Sequence, residues 1–494
     1  MNFDLFYISP ELILAAGGIL TLIVGMLTCR GTRLARPGFI SPETVSIAVL
    51  AAAAVASFML IYTVPSNGIA QFGSMLAVDG FGLFFKIIAA ISTIILILIS
   101  MDYFRNIGIH RGEYYSLLIF AVLAVSTLAA STDLVMIYLS VEFLSITSYV
   151  LAGFHKENPK SNEAAVKYFM YGSIAAAVMI YGMSMLYGLT GTTSILKIAE
   201  GGFTSQPQYY PVLLLSAVMI IAGLGFKIAM VPFHQWAPDV YEGAPTPVTA
   251  FLSVGSKAAG LAVLIRFLAT GLTPSLLDWM PLIVVLSALT MTAGNLIALV
   301  QTNIKRMLAY SSIAQAGYLL IGVAAIPFSR DAVPAILIYV FTYLFMNIGA
   351  FAVVSFISAK TGSDEIDGYA GLVKRAPAVA VIMFFFLMSL AGIPPTAGFI
   401  GKFYLFAAAV NSDNPMLFGL AIAAIINTVI SVYYYFNVVK EMFFVKPESD
   451  EPIKTNPVMN VVFTVTLGMT IAVFLFPQAF IELAQRCSYM FTGI

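Results

Sequence analysis

GLGFKIAMVPFHQW, residues Gly223 to Trp236, is an apolar run that carries Lys227 and is then broken by Pro232. AGIPPTAGFIGKFY, residues Ala391 to Tyr404, repeats the combination with Pro394-Pro395 and Lys402. A third run, FLSVGSKAAGLAVLIRF from Phe251 to Phe267, holds Lys257 and Arg266. A lysine at the centre of a bilayer costs about 2.5–3.5 kcal/mol on insertion scales, so a chain that keeps several is expected to use them. Proline removes a backbone N–H and strands a carbonyl near mid-membrane, which is tolerated only where protein or water satisfies it. A break beside a lysine therefore predicts a hydrated, protein-lined cavity, and two of them predict an ion or proton path. A simple proline kink is the plainer reading of either break alone; the recurrence of the lysine argues against it.

The surrounding composition supports a membrane setting. The chain has 494 residues, 60% hydrophobic and only 10% charged, which is far from a soluble core. Net charge is zero, so neither nucleic acid nor a polybasic surface is expected. Cys29 and Cys487 are too far apart to suggest a disulfide or a metal spacing. The first apolar run follows Asp4 rather than a basic segment and is expected to be a retained span, not a cleaved signal.

A helix crosses the bilayer with about 20 apolar residues. Fourteen runs qualify, near 10–29, 44–63, 79–100, 114–130, 133–152, 163–187, 211–231, 248–269, 280–299, 306–325, 332–358, 377–408, 414–439 and 457–480. Fifteen Lys and Arg fall in one set of alternate loops, among them Arg30, Arg33, Arg36 and Arg111, and three in the other. By the positive-inside rule both termini are then outside, in a bacterial or archaeal cytoplasmic membrane. Six basic residues remain within spans: Lys86, Lys167, Lys227, Lys257, Arg266 and Lys402.

The proline breaks fall in the seventh and twelfth runs. Five spans apart means opposite directions through the membrane, the arrangement of inverted repeats. KYFMYGSIAAAVMIYGMS in the sixth run and AILIYVFTYLFMNIGAFAVVS in the eleventh share an aromatic start followed by small residues. The expected fold is an all-α polytopic membrane protein with about 14 transmembrane helices and two inverted five-helix repeats. Its expected parts are an N-terminal three-helix region (1–110), a first repeat (111–270, helices 4–8), a second repeat (271–440, helices 9–13) and a C-terminal helix 14 (441–494).

Glu142, in IYLSVEFLSITSYVL, is the acidic group of the fifth run. If it faces Lys227, each favours the other's charged form, and breaking the pair releases a proton. A proton on Lys257 would repel one on Lys227. Lys402 is the corresponding cation of the second repeat. Lys167 is near a helix end and can snorkel. His234 suits proton exchange near neutral pH, or simple packing. Arg266 is expected to snorkel or pair, Asp239 and Glu242 to cap the next segment or shape the cytoplasmic side, and Tyr433, Tyr434 and Tyr435 to pack. Gln301, Asn303 and Gln315 are polar groups able to hold water. No phosphate-binding loop and no haem, flavin or iron–sulfur signature is seen, so the energy must come from elsewhere.

At these residues the chain resembles the antiporter-like membrane subunits of respiratory complex I. The resemblance rests on GLGFKIAMVPFHQWAPDVYEGAPTPVTAFLSVGSKAAG (Gly223 to Gly260), QTNIKRMLAYSSIAQAGYLLIG (Gln301 to Gly322) and SLAGIPPTAGFIGKFYLF (Ser389 to Phe406). It extends over nearly the whole chain and is nearer to the N-type than to the L- and M-type subunits. The M-type carries glutamate where Lys402 stands, and the long lateral helix of the L-type is absent. It implies fourteen helices, two inverted units and broken helices 7 and 12. It implies a proton relay through Glu142, Lys227, Lys257 and Lys402, with His234 and Lys167 as further members. It implies a subunit of a proton-translocating NADH:quinone oxidoreductase that does no redox chemistry itself. FMN, iron–sulfur clusters and quinone would belong to partner subunits, and M-like and K-like membrane neighbours are expected. Mrp-type cation/proton antiporter subunits, and N-like subunits of plastoquinone, F420H2 or ferredoxin-linked complexes, are alternatives. Gln315 stands where relatives can carry His.

Overall fold

The computed structural model describes residues 4–28, 41–107, 112–201, 208–272, 276–447 and 451–491. Cys29 and the loop residues Arg30, Arg33, Arg36 and Arg111 lie outside these. Thirteen described helices are long and apolar enough to cross a membrane. The first six are Ser9–Leu27, Pro42–Thr63, Gly80–Ile107, Gly112–Ala130, Leu134–Ala152 and Pro159–Thr190, here spans 1 to 6. Span 7 is Tyr210–Ile228 continued by Trp236–Gly243. Span 8 runs Thr246–Gly271, span 9 Leu276–Ala298, span 10 Ile304–Ala325 and span 11 Ala332–Thr361. Span 13 is Pro415–Phe444 and span 14 Pro457–Leu475. Span 12 is the fourteenth crossing, divided into Pro377–Ala391 and Ala397–Val410, each too short to cross alone.

Most boundaries fall within a few residues of the apolar runs. Span 14 differs: it stops at Leu475, and a separate helix, Pro477–Cys487, follows after the non-helical Phe476 (φ −128°, ψ 56°). Hydropathy did not separate them because Pro477 sits at the first turn of a helix, where it is compatible with helix formation. A short hairpin, Ile69–Gln71 with Leu76–Val78, joins spans 2 and 3.

Local chemistry sets the starts. Spans 6, 13 and 14 each open on an Asn-Pro pair, in which Asn158, Asn414 or Asn456 caps the free backbone amides and proline takes the first helical position. Span 8 is buried along its length, and spans 10 and 11 almost so, whereas spans 1, 2, 6, 13 and 14 leave most of one side uncovered. The core is thus the bundle of spans 8, 10 and 11, the two breaks flanking it.

The chain ends of spans 5 and 6 are clasped together, and those of spans 10 and 11 in the same way. Leu134 N donates to Thr193 O at 2.8 Å and Ile195 N to Thr132 O at 3.1 Å. Ile304 N donates to Asp364 O at 2.8 Å and Ile366 N to Thr302 O at 2.8 Å. In both, the residue before the first helix of the pair is a cap, Asp133 or Asn303, and the second helix ends on a left-handed glycine, Gly191 or Gly362. The clasps are five spans apart, in register with the breaks, and lie on opposite faces of the membrane. Asn303 accepts from Lys305 N at 3.0 Å and Arg306 N at 3.2 Å. Asn303→Ala should cost about 1 kcal/mol, read as a lower midpoint of chemical unfolding in detergent. An unchanged midpoint would deny the cap an energetic role.

Candidate functional site

The first break positions Lys227. The helix ends at Ala229, left-handed with φ 57°, whose N–H returns to Gly225 and Phe226. The groups freed by the break are satisfied by side chains from beyond it. Trp236 Nε1 donates to Phe226 O at 3.0 Å, and Val231 N donates to Thr290 Oγ1 of span 9 at 3.1 Å. Lys227 is fully buried in the last turn before the break. Its Nζ donates to Ser145 Oγ of span 5 at 3.1 Å and lies 5.8 Å from the Tyr168 ring centroid. Tyr168 is in turn stacked on Trp236, 4.3 Å between centroids.

The second break is built alike but loaded differently. Gly392, φ 81°, closes the first half-helix onto Met388 and Ser389. The halves approach so closely that a Cβ on Gly398 would sit 1.8 Å from Ser389 O. Lys402 belongs to the second half, ten residues after the left-handed residue, whereas Lys227 comes two residues before its own. The two lysines are therefore on opposite sides of equivalent breaks. Lys402 reaches back: its Nζ donates to Leu390 O at 3.1 Å and Ala391 O at 3.2 Å, so that the ammonium caps the negative end of the first half-helix. Its charge lies 4.4 Å from the Tyr318 ring centroid.

Lys257 stands between the breaks. It follows a one-turn π segment, Leu252–Ser256, in span 8, an irregularity frequent at functional positions. Its Nζ donates to Ser312 O at 2.8 Å and Ser312 Oγ at 2.5 Å, and lies 5.9 Å from the Tyr241 ring. A cavity of about 20 Å³, room for roughly one water, is lined by Lys257, Ser312 and Tyr343 among apolar neighbours. The hydroxyls of Tyr168, Tyr241, Tyr343 and Ser256 are buried without a well-formed hydrogen bond, although Tyr168 lies near Ser256, and Tyr241 and Tyr343 near Ser312. Such groups are suited to holding water.

Among the described residues none of Lys227, Lys257 and Lys402 has a carboxylate within ion-pair distance. Each is placed over a tyrosine ring instead. Glu142 is close enough for its charge to be felt at Lys227 but makes no direct pair with it, and its buried Oε1 has no partner. Ser145, one turn along span 5, is what Lys227 touches. His234 lies in the span 7 break with Nδ1 buried and without a well-formed hydrogen bond, the ring near the Pro232 backbone and within range of the Lys257 charge.

Lys167 is 38% exposed and stands apart from this line of lysines. It pairs with Glu163 at 2.8 Å and Asp239 at 2.6 Å. Arg306 joins Asp239 at 2.8 Å and Glu242 at 3.1 Å, and Lys160 reaches Glu242 at 2.9 Å. These six side chains line a pocket of about 280 Å³ at the end of span 7. Asp239 and Glu242 thus shape one membrane face by ion pairs rather than by capping. Arg266 does not snorkel; it is fully buried with Asp79. Lys86 pairs with Glu11 of span 1.

Sequence reasoning passed over the tyrosines. Of the three in a row, Tyr433 is exposed, as a packing or lipid-facing residue is, but Tyr434 and Tyr435 are buried and hydrogen-bonded. Tyr435 shares a hydrogen bond with Ser311, and Tyr434 OH donates to Asn295 Oδ1 at 3.0 Å. Successive helix positions turn by about 100°, so three adjacent tyrosines cannot all face one way, and that was the available signal. Of the polar groups singled out as able to hold water, Asn303 is a cap, Gln301 turns back on Ile297 O at 3.0 Å, and only Gln315 enters the site.

The chain is similar to known proteins. A family described as "NADH:quinone oxidoreductase/Mrp antiporter, TM" matches residues 131–431. "NADH-quinone oxidoreductase subunit N" of Moorella thermoacetica is 41% identical over 489 residues, 99% of each chain. "NAD(P)H-quinone oxidoreductase subunit 2" of Synechocystis is 42% identical over 457 residues, 92% of this chain and 85% of that one. A chain of respiratory complex I from Thermus thermophilus superposes with TM-score 0.78 at 29% identity, covering 96% of this chain and 99% of that one. A chain of the Mrp complex from Dietzia superposes with TM-score 0.84 at 20% identity, covering 98% and 97%, a likeness of fold.

Proposed function

Because the chain belongs to the NADH:quinone oxidoreductase/Mrp antiporter membrane family, we propose that it is the proton-translocating membrane subunit of a complex I-type NADH:quinone oxidoreductase. The observation that carries this reading is the run of three buried lysines, Lys227, Lys257 and Lys402, each set over a tyrosine ring and, among the described residues, none within ion-pair distance of a carboxylate. An uncompensated buried amine exchanges its proton readily, whereas a tightly paired one is held in its charged form.

Electron transfer takes place in partner subunits, where FMN, iron–sulfur clusters and quinone belong. M-like and K-like membrane neighbours transmit the resulting change in charge or conformation. In this chain it reaches Glu142 and Lys227. Drawing Glu142 towards Lys227 holds the proton there; moving it away releases the proton towards Lys257, and thence to Lys402. Two charges about 4 Å apart interact by about 4 kcal/mol at an effective dielectric of 20. Moving one charge against 100 mV takes about 2.3 kcal/mol, so a rearranged pair is large enough in scale. His234 assists exchange at the first break, and Lys167 holds the charged pocket at the end of span 7. Residues 111–270 and 271–440 act as the two inverted half-channels, between an N-terminal region (1–110) and the segment 441–494. The membrane is the cytoplasmic membrane of a bacterium or archaeon, both termini outside.

Lys227→Ala and Lys402→Ala should each abolish most donor-driven proton uptake into inverted vesicles and slow quinone reduction, while the complex still assembles. Unchanged pumping in both variants rules the route out. Ion flux in vesicles with no electron donor would instead favour a secondary cation/proton antiporter.

A further inference from the structure

Gln315, on span 10 and 1% exposed, lies between the Lys257 and Lys402 environments. Its Nε2 donates to Leu390 O at 3.0 Å and to the Tyr435 hydroxyl oxygen at 3.4 Å. Its Oε1 accepts from the Tyr339 hydroxyl. The amide cannot be turned round in this setting: Leu390 offers only a carbonyl oxygen, so the NH2 must face it. Lys402 donates to the same Leu390 O at 3.1 Å. On the other side, Tyr435 is bonded to Ser311, and the next residue, Ser312, holds Lys257.

A proton passes along a hydrogen-bonded chain only if each member accepts on one side and donates on the other. Gln315 donates on both sides, to Tyr435 and to the Leu390 carbonyl. A primary amide has no proton to give up near neutral pH and does not gain one there. The Leu390 carbonyl, occupied by Gln315 and Lys402 together, has no proton to hand on.

We propose that Gln315 is a conduction block between Lys257 and Lys402, opened only when its side chain swings out from between Tyr435 and Lys402. With the amide turned aside, the Tyr435 hydroxyl, or a water on it, reaches the Lys402 amine. The Lys257 ammonium then releases one proton to Ser312 Oγ, which passes its own through a bridging water to Ser311 and so to Tyr435. Tyr435 gives up its own proton on the Lys402 side as it receives one on the other. Neutral Lys402 takes that proton, leaving Lys257 neutral and Lys402 charged, with no change of oxidation state. The block makes transfer depend on the driven movement and resists return flow. This inference rests on the relay reading above.

The test is passive leak. The complete complex is reconstituted into vesicles without electron donor. A potassium diffusion potential is imposed with valinomycin, and internal pH is followed with pyranine. Gln315→Glu, whose side chain can take and give a proton, should leak several-fold faster than wild type and pump fewer protons per quinone reduced. Gln315→His should do the same and serves if the glutamate variant does not assemble. Gln315→Met, whose side chain fills the same space and can neither take nor give a proton, should stay as tight as wild type, and adding Lys402→Ala to Gln315→Glu should remove the extra leak. Wild-type leak in both protonatable variants overturns the proposal. So does a Gln315→Met leak equal to theirs, since loose packing would then explain it, or a leak that survives Lys402→Ala. The relay reading falls on a different result, unchanged pumping in Lys227→Ala and Lys402→Ala, so the two can fail separately.

Discussion

Arg266→Ala should leave the protein poorly folded, with a loss of stability of about 3–5 kcal/mol. Arg266 is fully buried at the end of span 8. Its guanidinium grips Asp79 with two bonds, 2.8 and 3.0 Å, and Ala129 O with two more, 3.1 and 2.9 Å. It thereby ties span 8 to the start of span 3 and the end of span 4, with the Phe81 ring 5.4 Å from the guanidinium carbon. Alanine strips the buried Asp79 of its counter-charge and leaves it only the Gly82 N–H, 2.7 Å from Oδ1, which is the expensive way to break such a pair. Arg266→Lys should rescue little, because an ammonium cannot reproduce the two-pronged grip. Arg266→Met combined with Asp79→Asn should recover part of the loss, since no charge is then stranded. Thermal unfolding of the detergent-solubilised complex reads all three, and a normal midpoint for Arg266→Ala would refute the assignment.

Lys257→Met should do the reverse, sparing the fold and removing the function. Lys257 is as deeply placed, yet among the described residues it has no anionic partner, only Ser312. Methionine has a similar volume and fits span 8 without a charge. The bonds lost at Ser312 and the relief of a buried charge should offset to within about 1–2 kcal/mol. Donor-driven proton uptake should fall to a small fraction of wild type, while the complex copurifies intact with an unfolding midpoint near normal. A Lys257→Met complex that pumps normally would reduce the lysine to a structural role. The contrast with Arg266 is the useful one: a buried cation clamped by a carboxylate builds the fold, and a buried cation held only by hydroxyls and carbonyls is free to trade its proton.

The number of spans, the two breaks and the three lysines were legible because each leaves a local mark: a 20-residue apolar run, a proline, a charge in grease. What stands opposite each lysine was not. Most spans are apolar on all sides, so hydrophobic periodicity does not say which face turns inward. Glu142 read as the partner of Lys227, but the side chain in contact is Ser145, one turn along the same helix. Tyr168, Tyr241 and Tyr318 are ordinary membrane residues until the fold brings them under the ammonium groups. Lys227 and Lys402 looked like counterparts because both lie near a proline; only the backbone shows that they sit on different halves of their helices. The clasps escaped notice because STDL at Ser131–Leu134 and QTNI at Gln301–Ile304 share one identical residue in four. Their likeness is in the backbone hydrogen bonds.

Those clasps also constrain movement. Spans 5 and 6 are stapled together at one membrane surface, spans 10 and 11 at the other, each by two main-chain bonds that substitutions in the side chains cannot readily alter. At the opposite surface each pair is joined by a six-residue loop, residues 153–158 between spans 5 and 6 and residues 326–331 between spans 10 and 11. Each pair is thus a closed frame, tied by the chain at one surface and by the clasp at the other, and the two frames are inverted with respect to each other. A sideways push along the row of helices would tilt each frame as one piece and leave the seam within it shut.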